Sequence, residues 1–156
     1  MWLYEGEEMT KENFPKPAED VAEESTFGFV YMMGAIIDGE KKFYIGRKTV
    51  YSPRKRKLNK KELAARPSKR EKDWKWVSHF EKFHDYYSSN KVLEKAHEDG
   101  IEIKRIILHI CHTKAEITFQ ETRHQFKAEV LSKPEFLNDN ILGKFYRSKL
   151  YPETNK

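Results

Sequence analysis

One short stretch combines groups that could act on a phosphate ester. In Phe43-Tyr44-Ile45-Gly46-Arg47-Lys48, a tyrosine, a glycine and two cations close an apolar run. An earlier apolar run contains Tyr31, and Glu121 and Asn138 follow much later in the chain. Hydrolysis of an anionic phosphodiester needs its developing charge neutralised, and Mg²⁺ needs only one or two protein carboxylates. These residue types therefore indicate metal-dependent phosphodiester cleavage, with Glu121 as the metal ligand.

The charge is distributed very unevenly along the chain. The net charge is +5, but residues 1–26 contain eight acids against two lysines, a balance of −6. Residues 41–75 contain fifteen Lys or Arg against three acids, a balance of +12. A basic region of this size usually binds a polyanion. We expect an acidic N-terminal arm at 1–26, a domain at 27–146 with a basic insertion at about 50–75, and a basic tail at 147–156.

Composition limits the class of protein. With 156 residues and 38% hydrophobic content, the chain should form one globular domain. It has no apolar run near the ~20 residues of a membrane span, so no membrane partner is expected. A single cysteine, Cys111, rules out an internal disulfide. That is typical of a reducing compartment, and we expect a cytoplasmic protein.

The two segments that contain the tyrosines are predicted to form a β-hairpin. Residues 27–37 are almost continuously apolar, Asp38-Gly39 is a two-residue turn signal, and residues 42–48 form the returning strand. The two strands should pair antiparallel, with Tyr31 and Tyr44 near the same end. Residues 50–70 are predicted to form a loop with one short helix at 59–65. For Trp2, Leu3 and Tyr4, docking onto the domain and a solvated tail are both open.

The second half predicts helices around a third strand. One helix should run from Trp74 to about His84, and another should begin at Ser89 or Asn90 and end at Asp99-Gly100. Residues 101–111 are predicted to be a central strand buried on both faces. Thr113 should cap a long helix over about 114–132 that turns one stripe to the sheet, with Glu121 on its flank. The stripe comprises Ala115, Phe119, Thr122, Phe126 and Val130. The expected fold is α+β, a small three-stranded antiparallel sheet flanked by helices.

The ordered residues resemble the signature of a known family. Tyr31 in Phe29-Val30-Tyr31, the triplet Tyr44-Ile45-Gly46, Glu121 in a long helix and Asn138 after it are similar to the GIY-YIG nuclease superfamily. Tyr44 to Thr49, Tyr86 to Ser89, and Leu137 to Phe145 are most similar to its phage-type, SegE-like homing endonucleases. The resemblance covers roughly residues 27–146. It departs in the first motif, which reads Phe-Val-Tyr rather than Gly-Ile-Tyr.

The resemblance implies an activity and roles for individual residues. It implies a DNA endonuclease dependent on Mg²⁺, or on Mn²⁺, in which a tyrosine orients or deprotonates the attacking water. Tyr31 is favoured as the base, with Tyr44 as its hydrogen-bonded partner. Asn138, or Asn140, would hold the backbone or a tyrosine hydroxyl. An arginine should clamp the scissile phosphate. The candidates for this clamp are Arg54 and Arg56 at the family position, and Arg47 and Lys48 nearer the sheet.

Double-stranded DNA is the expected partner, in the host cytoplasm if the protein is phage-encoded. Because one active site cuts one strand per visit, a double-strand break would need a homodimer or sequential nicks. The candidate DNA-binding residues are Arg47, Lys48, Arg54, Arg56, Arg70 and Trp74. The alternative function is a noncatalytic nucleic-acid-binding module that uses the basic stretch and its aromatic side chains. These aromatic residues are Trp74, Trp76, Tyr86 and Tyr87.

His109 and His112 flank Cys111, an arrangement that resembles part of a structural zinc site. His109 and Cys111 should share one face of their strand while His112 points to the other, and four ligands are not supplied. We therefore do not expect structural zinc. His79, His84 and Asp85 do not form the clustered signature of a histidine-metal nuclease either.

Overall fold

The computed structural model describes residues 1–18 and 25–155, without the side chains of 154 and 155. The strands are β1 (Trp2–Tyr4), β2 (Glu7–Met9), β3 (Phe27–Ile37), β4 (Glu40–Lys57), β5 (Trp74–Phe80), β6 (Lys104–Cys111), β7 (Asn140–Ile141) and β8 (Phe145–Tyr146). The helices are α1 (Lys60–Ala64), α2 (Lys91–Glu98), α3 (Lys114–Lys127) and α4 (Arg147–Leu150), followed by a 3₁₀ helix at Pro152–Asn155. None of these helices is long and apolar enough to cross a membrane.

The main sheet has six strands in the order β2-β1-β6-β3-β4-β5. The pairs β3–β4 and β3–β6 are antiparallel, as predicted, whereas β1 pairs parallel to β6. The expectation of a three-stranded antiparallel sheet was therefore wrong, although the α+β class is confirmed. Three further strands come from segments that were predicted to form an arm and a helix.

The N-terminal residues belong to the sheet rather than to a free arm. Trp2 is 1% exposed, and its ring packs edge-on against Phe29 and Tyr31 at centroid distances of 4.9 and 5.4 Å. Its indole N–H donates to the carbonyl of Phe83 at 2.7 Å. Phe14 is buried as well. The buried Trp2 ring, with its N–H hydrogen-bonded, therefore anchors the acidic N-terminal segment to the sheet. Residues 19–24 of the expected arm lie outside the described residues.

The predicted helix after Trp74 is instead β5. It pairs antiparallel with the second half of β4, from Tyr51 opposite Phe80 to Lys57 opposite Trp74. The prediction was wrong because a short aromatic segment fits both the helical and the strand period, and only a pairing partner decides between them. The basic residues expected in a loop are therefore one strand of a two-stranded ribbon.

Three predicted helices are confirmed by their caps. Asn59 and Glu62 form a reciprocal capping box at α1, and Asn90 accepts from two backbone N–H groups at the start of α2. The Thr113 hydroxyl accepts from the N–H of Glu116 at 3.1 Å, which begins α3. α3 ends at Lys127 rather than near residue 132.

The sheet is covered on both faces, and β3 is the strand buried on both. Phe29, Tyr31 and Met33 face a core that includes Trp2 and Leu93. Val30 faces a second core under α3, with Ile45, Cys111 and Ile117 among its members. β6 alternates instead between buried and exposed residues over its first half, so the expectation of a fully buried β6 was wrong.

The helix α3 turns a different stripe to the sheet from the one predicted. Ile117 and Gln125 are buried and Glu121 is half-buried between them, whereas Phe119 is 63% exposed and Phe126 is 49% exposed. The spacing of four residues puts Ile117, Glu121 and Gln125 on one face. The predicted stripe was wrong, and Glu121 points toward β4.

Candidate active site

A cleft of about 340 Å³ opens at the edge of β4. Because β5 pairs with β4 only from Tyr51 onward, no strand of the described sheet pairs with the segment 43–48 on that side, and one isolated bridge joins Phe43 to Phe136. α3 and the chain after Leu137 form the other walls. The lining residues are Tyr44, Arg47, Asn90, Glu121, Gln125, Leu137, Asn138, Asp139, Asn140 and Leu142. The cleft thus combines Tyr44, Arg47, Glu121 and Asn138, four of the predicted site residues.

Gly46 allows the two tyrosines to approach each other. It lies opposite Tyr31 in the β3–β4 register. A Cβ at this position would lie 2.7 Å from the Tyr31 hydroxyl oxygen and 2.8 Å from Cε1 of Tyr44. The ring centroids of the two tyrosines are 6.3 Å apart. Any side chain at residue 46 would displace both rings, which gives the glycine of the Tyr-Ile-Gly triplet a steric reason.

The two tyrosines have different surroundings. Tyr31 is 1% exposed; its hydroxyl donates to Ser88 Oγ at 3.3 Å and shares a hydrogen bond with the Tyr86 hydroxyl at 3.3 Å. Burial and the neighbouring Tyr86 raise the pKa of Tyr31 far above its ordinary value. These partners take the place of the expected hydrogen bond to Tyr44. Tyr31 therefore lies behind the cleft, not in its wall.

Tyr44 lines the cleft and is half-buried. Burial raises the pKa of its phenol, and the negative charges of Glu121 and Asp139 raise it further. Tyr44, Glu121 and Asp139 line the same cleft. A cation bound near these carboxylates would lower the pKa of Tyr44, since a nearby positive charge favours the ionised form of a phenol.

Glu121 forms a long ion pair with Arg47. The Nε atom of Arg47 lies 3.9 Å from Oε1 of Glu121, and Nη1 of Arg47 donates to Thr118 Oγ1 at 2.9 Å. Burial raises the pKa of Glu121 in spite of the opposing charge of Arg47. The carboxylate is therefore incompletely compensated within the protein, which suits a group that binds a cation.

The donors in the cleft fit a hard divalent ion. Glu121 and Asp139 supply carboxylates, and the lining residues include no sulfur or imidazole. Mg²⁺ and Mn²⁺ prefer such oxygen ligands. The amide oxygens of Asn90 and Asn140 already accept backbone hydrogen bonds from Val92, Leu93 and Gly143. Asp139 was not predicted as a site residue. Its signal in the sequence is its place beside Asn138, in an Asn-Asp-Asn run.

Asn138 holds the backbone of Ile45. It is 3% exposed; its Oδ1 accepts from the Ile45 N–H at 3.1 Å and its Nδ2 donates to the Ile45 carbonyl at 2.8 Å. Gln125 donates to the same carbonyl at 3.1 Å. Two neighbouring backbone hydrogen bonds join Phe43 to Glu135 and Leu137. The carboxamide of Asn138 thus extends a strand-like pairing along the open edge of β4, between Tyr44 and Gly46.

Arg147 binds backbone carbonyls of the segment that contains Asn138. This role was not predicted from the sequence, because Arg147 begins the expected basic tail. It is 4% exposed, and its guanidinium donates to the carbonyls of Val130, Lys133, Phe136 and Asn138 at 2.5–3.1 Å. Burial lowers the pKa of this guanidinium. The sequence does not distinguish a buried arginine that binds carbonyl oxygens from an arginine in solvent. Every residue has a backbone carbonyl, so the acceptors leave no signal in the residue types.

The other predicted phosphate ligands lie outside the cleft. Lys48 lies 3.5 Å from Glu81 and above the ring of Tyr86, and Arg54 lies 3.9 Å from Glu81. Arg56 makes two hydrogen bonds of 3.1 Å to Glu62.

The remaining predicted DNA-binding residues lie farther along the basic stretch. Arg70 is exposed in the segment before β5, and Trp74 lies on β5. Among the lining residues of the cleft, Arg47 is the one cation in the part of the chain that the structure describes.

A second polar group lies on the other side of α3. The ligand atoms of His109, Cys111 and Glu116 are within 4.8 Å of one another. Glu116 was not considered for this group in the sequence. Burial, with the nearby Glu116, raises the pKa of the Cys111 thiol to about 12, so the sulfur is protonated at neutral pH. His112 packs its ring edge-on against Phe27 at 4.9 Å.

Comparison with known proteins identifies the family of the chain. The model of the family described as "Putative endonuclease segE, GIY-YIG domain" matches residues 2–141. No curated protein and no solved structure matches the sequence. The match includes β1, so the buried Trp2 strand lies within the family domain, whereas Arg147 lies beyond the matched residues. Because the match covers most of the chain, this protein belongs to the SegE-like GIY-YIG endonuclease family.

Proposed function

We propose that the protein is a DNA endonuclease that hydrolyses phosphodiester bonds in duplex DNA with one Mg²⁺ or Mn²⁺ ion. The observation that carries the proposal is the joint presence of Tyr44, Arg47 and Glu121 in one cleft of a GIY-YIG domain. The family supports a nuclease. The oxygen donors of the cleft support the choice of ion, and the basic stretch supports the choice of DNA.

Glu121 is the residue proposed to hold the ion, with Asp139 as a second carboxylate. When bound, the ion neutralises charge on the phosphate and lowers the pKa of water. The half-buried Glu121 carboxylate is suited to this role because its protein partner, Arg47, is 3.9 Å away and exposed. Placing a cation there would relieve the cost of a buried, poorly compensated carboxylate.

Arg47 is proposed to bind the scissile phosphate. Its hydrogen bond to Thr118 Oγ1 at 2.9 Å fixes one end of the guanidinium, while the side chain remains exposed to the cleft. The planar fork can donate two hydrogen bonds to phosphate oxygens. Arg54 and Arg56 are less suited, since their carboxylate partners Glu81 and Glu62 lie outside the cleft.

Tyr44 is proposed to orient the attacking water by hydrogen bonding to it. We prefer Tyr44 to Tyr31 because its ring lines the cleft, whereas the Tyr31 hydroxyl is buried against Tyr86 and Ser88. The raised pKa of Tyr44 means that this phenol keeps its proton at neutral pH, so its proposed role is to position the water rather than to deprotonate it. Tyr31 is proposed to support the ring of Tyr44 from behind across Gly46.

The proposal is tested with supercoiled plasmid, Mg²⁺ and a matched pair of variants. Glu121→Gln removes the carboxylate charge in the cleft, and Glu98→Gln removes the same charge at an exposed position on α2. We expect the unchanged protein and the Glu98 variant to nick the plasmid, and the Glu121 variant and chelator-treated protein to leave it intact. Equal nicking by both variants would contradict the site assignment. DNA binding without cleavage by the unchanged protein would favour the noncatalytic binding module.

A further inference from the structure

The second half of β4 and β5 form a two-stranded ribbon with two chemically different faces. Directly opposite residues share a face, so Lys55 and Lys57 lie with Trp76 and Trp74. Arg54 and Arg56, opposite Val77 and Lys75, lie on the other face. Residues 51–80 contain eleven Lys or Arg against three acids, a balance of +8. The ribbon is therefore strongly cationic, and its two faces can be assessed separately.

On the arginine face, the cations are neutralised within the protein. Glu62 of α1 accepts two hydrogen bonds from Arg56 and lies 2.6 Å from Nζ of Lys75. The hydrogen bond from Lys75 and the contact with Arg56 lower the pKa of Glu62 to about 2. Arg54 faces Glu81 at 3.9 Å. These ion pairs attach α1 to the ribbon and occupy its arginines.

On the lysine face, aromatic rings rather than carboxylates contact Lys55 and Lys72. The Lys55 ammonium lies 4.5 Å from the centroid of Trp74 and 5.7 Å from that of Trp76, and Lys72 lies 4.7 Å from Trp74. Lys55, Lys57 and Lys72 are exposed and have no carboxylate partner among the described residues. A ring can orient an ammonium group without neutralising it, so three full positive charges face solvent.

This face is connected to the active-site cleft. Arg47 lines the active-site cleft and also a second cleft that includes Pro53 and Trp76. From Arg47 to Lys57 the chain runs ten residues along β4. At ~3.3 Å per residue the ribbon reaches at most ~33 Å from Arg47. That is about ten base pairs of duplex DNA, or one helical turn.

We propose that the lysine face, comprising Lys55, Lys57, Lys72, Trp74 and Trp76, is a docking arm that binds the phosphates of duplex DNA within one helical turn of the cleavage site. The inference rests on the proposed endonuclease function and adds to it the element that anchors the substrate. Duplex DNA is favoured over single strands because lysines cover the tryptophan faces on which unpaired bases would stack.

The test measures affinity for a duplex in chelator, where cleavage does not occur. One variant combines Lys55→Gln, Lys57→Gln and Lys72→Gln. Its control, Lys95→Gln, Lys104→Gln and Lys127→Gln, loses the same charge from exposed positions elsewhere. We expect the arm variant to bind about 10- to 500-fold more weakly at 0.1 M salt. The slope of log affinity against log salt should fall by about 2 to 3, with little change in the control.

Shortening the duplex locates the contact. Removing base pairs from the arm side should erase the difference between the arm variant and the unchanged protein once fewer than about ten pairs flank the cleavage site. Equal losses in arm and control variants, an unchanged salt slope, or a loss on single strands as large as on duplex would each overturn the proposal. If the triple variant does not fold, Lys55→Gln alone should reduce the slope by about 1.

The binding assay and the cleavage assay separate the two proposals. Loss of affinity in the arm variant, with no cleavage by the unchanged protein, would leave the arm standing and refute the endonuclease. Cleavage by the unchanged protein, with arm and control variants binding equally, would refute the arm alone.

Discussion

The two halves of β4 use the same strand for different tasks. In the first half, Asn138 and Gln125 bind the backbone of Ile45, and Tyr44 and Arg47 are directed into a cleft. In the second half, β5 satisfies the backbone, and Lys55 and Lys57 extend into solvent. What differs is the partner along the strand edge. Beside the cleft, the side chains of Asn138 and Gln125 are the partners of the strand edge. Along the cationic ribbon, the partner is the strand β5.

The largest effect is expected from the cleft beside the first half of β4, through Glu121, the proposed metal ligand. Glu121→Gln should reduce single-turnover cleavage by at least about a thousandfold, because the charge that compensates the ion is lost. Duplex affinity measured in chelator should stay near that of the unchanged protein. Quench-flow or gel assays at saturating protein measure the rate. A parallel loss of affinity would mean that Glu121 acts on binding, and the contrast between the two halves of β4 would fail.

The next effect separates the two tyrosines. Tyr44→Phe should lower the single-turnover rate by about 10²- to 10³-fold, since it removes the hydroxyl in the cleft. Tyr31→Phe should cost less than about tenfold, because it removes a buried hydroxyl that contacts Tyr86 and Ser88. Both rings remain, so the packing over Gly46 is retained in each variant. The reverse ranking would assign the water-orienting role to Tyr31 instead.

A smaller loss of activity, with a loss of stability, is expected from Arg147. Arg147→Met leaves four carbonyls without their donor, two of them buried and two part-buried, and should lower the free energy of unfolding by about 2–4 kcal/mol. Chemical denaturation measures this change, and Arg123→Met, which loses one exposed arginine on α3, is the matched control.

If Arg147 positions Asn138, the remaining folded protein should have a lower maximal rate with unchanged duplex affinity. Arg147→Lys should recover part of that rate, because it restores one donor. A rate per folded molecule equal to that of the unchanged protein would show that Arg147 acts on stability alone.

The smallest effect concerns the ion pairs behind the arm. Because the pKa of Glu62 falls from its ordinary 4.5 to about 2 in the fold, its contribution to stability is complete above pH 4.5. It is lost as pH falls through about 2. Fluorescence of Trp74 and Trp76 should report this change between pH 4.5 and 2. The transition should be absent in Glu62→Gln, and a transition that persists there would assign it to other carboxyl groups.

Much of the site could be predicted because local signals agree with the fold. The hairpin follows from an apolar run and Asp38-Gly39, and α2 and α3 begin where Asn90 and Thr113 supply caps. Tyr44, Glu121 and Asn138 were predicted as site residues from their order along the chain, and the structure brings them together in one cleft.

The errors lie where several structures satisfy the same local pattern. Trp74 to Phe80 fits a helix or a strand, and β4 decided in favour of the strand. Phe119 and Phe126 were assigned to the buried side of α3 on hydrophobicity, yet Gln125 is buried because it reaches the carbonyl of Ile45. Arg147 was assigned to a tail because its acceptors are backbone carbonyls, which no residue type reveals. For Trp2 the choice between docking and a solvated tail stayed open, because its partner Phe83 is 81 residues away.

The sequence by itself determined the chemistry available to this protein: its tyrosines, its helical glutamate, its asparagine and its concentration of cations. These follow from residue type and order, and a hairpin turn and helix caps act over a few residues. The tertiary structure alone decided which tyrosine lines the cleft, which arginine accompanies Glu121, and which face of the basic stretch remains unpaired. Those choices depend on burial and on contacts between residues far apart in the chain, such as Ile45 and Asn138, which are 93 residues apart, and no local pattern encodes them.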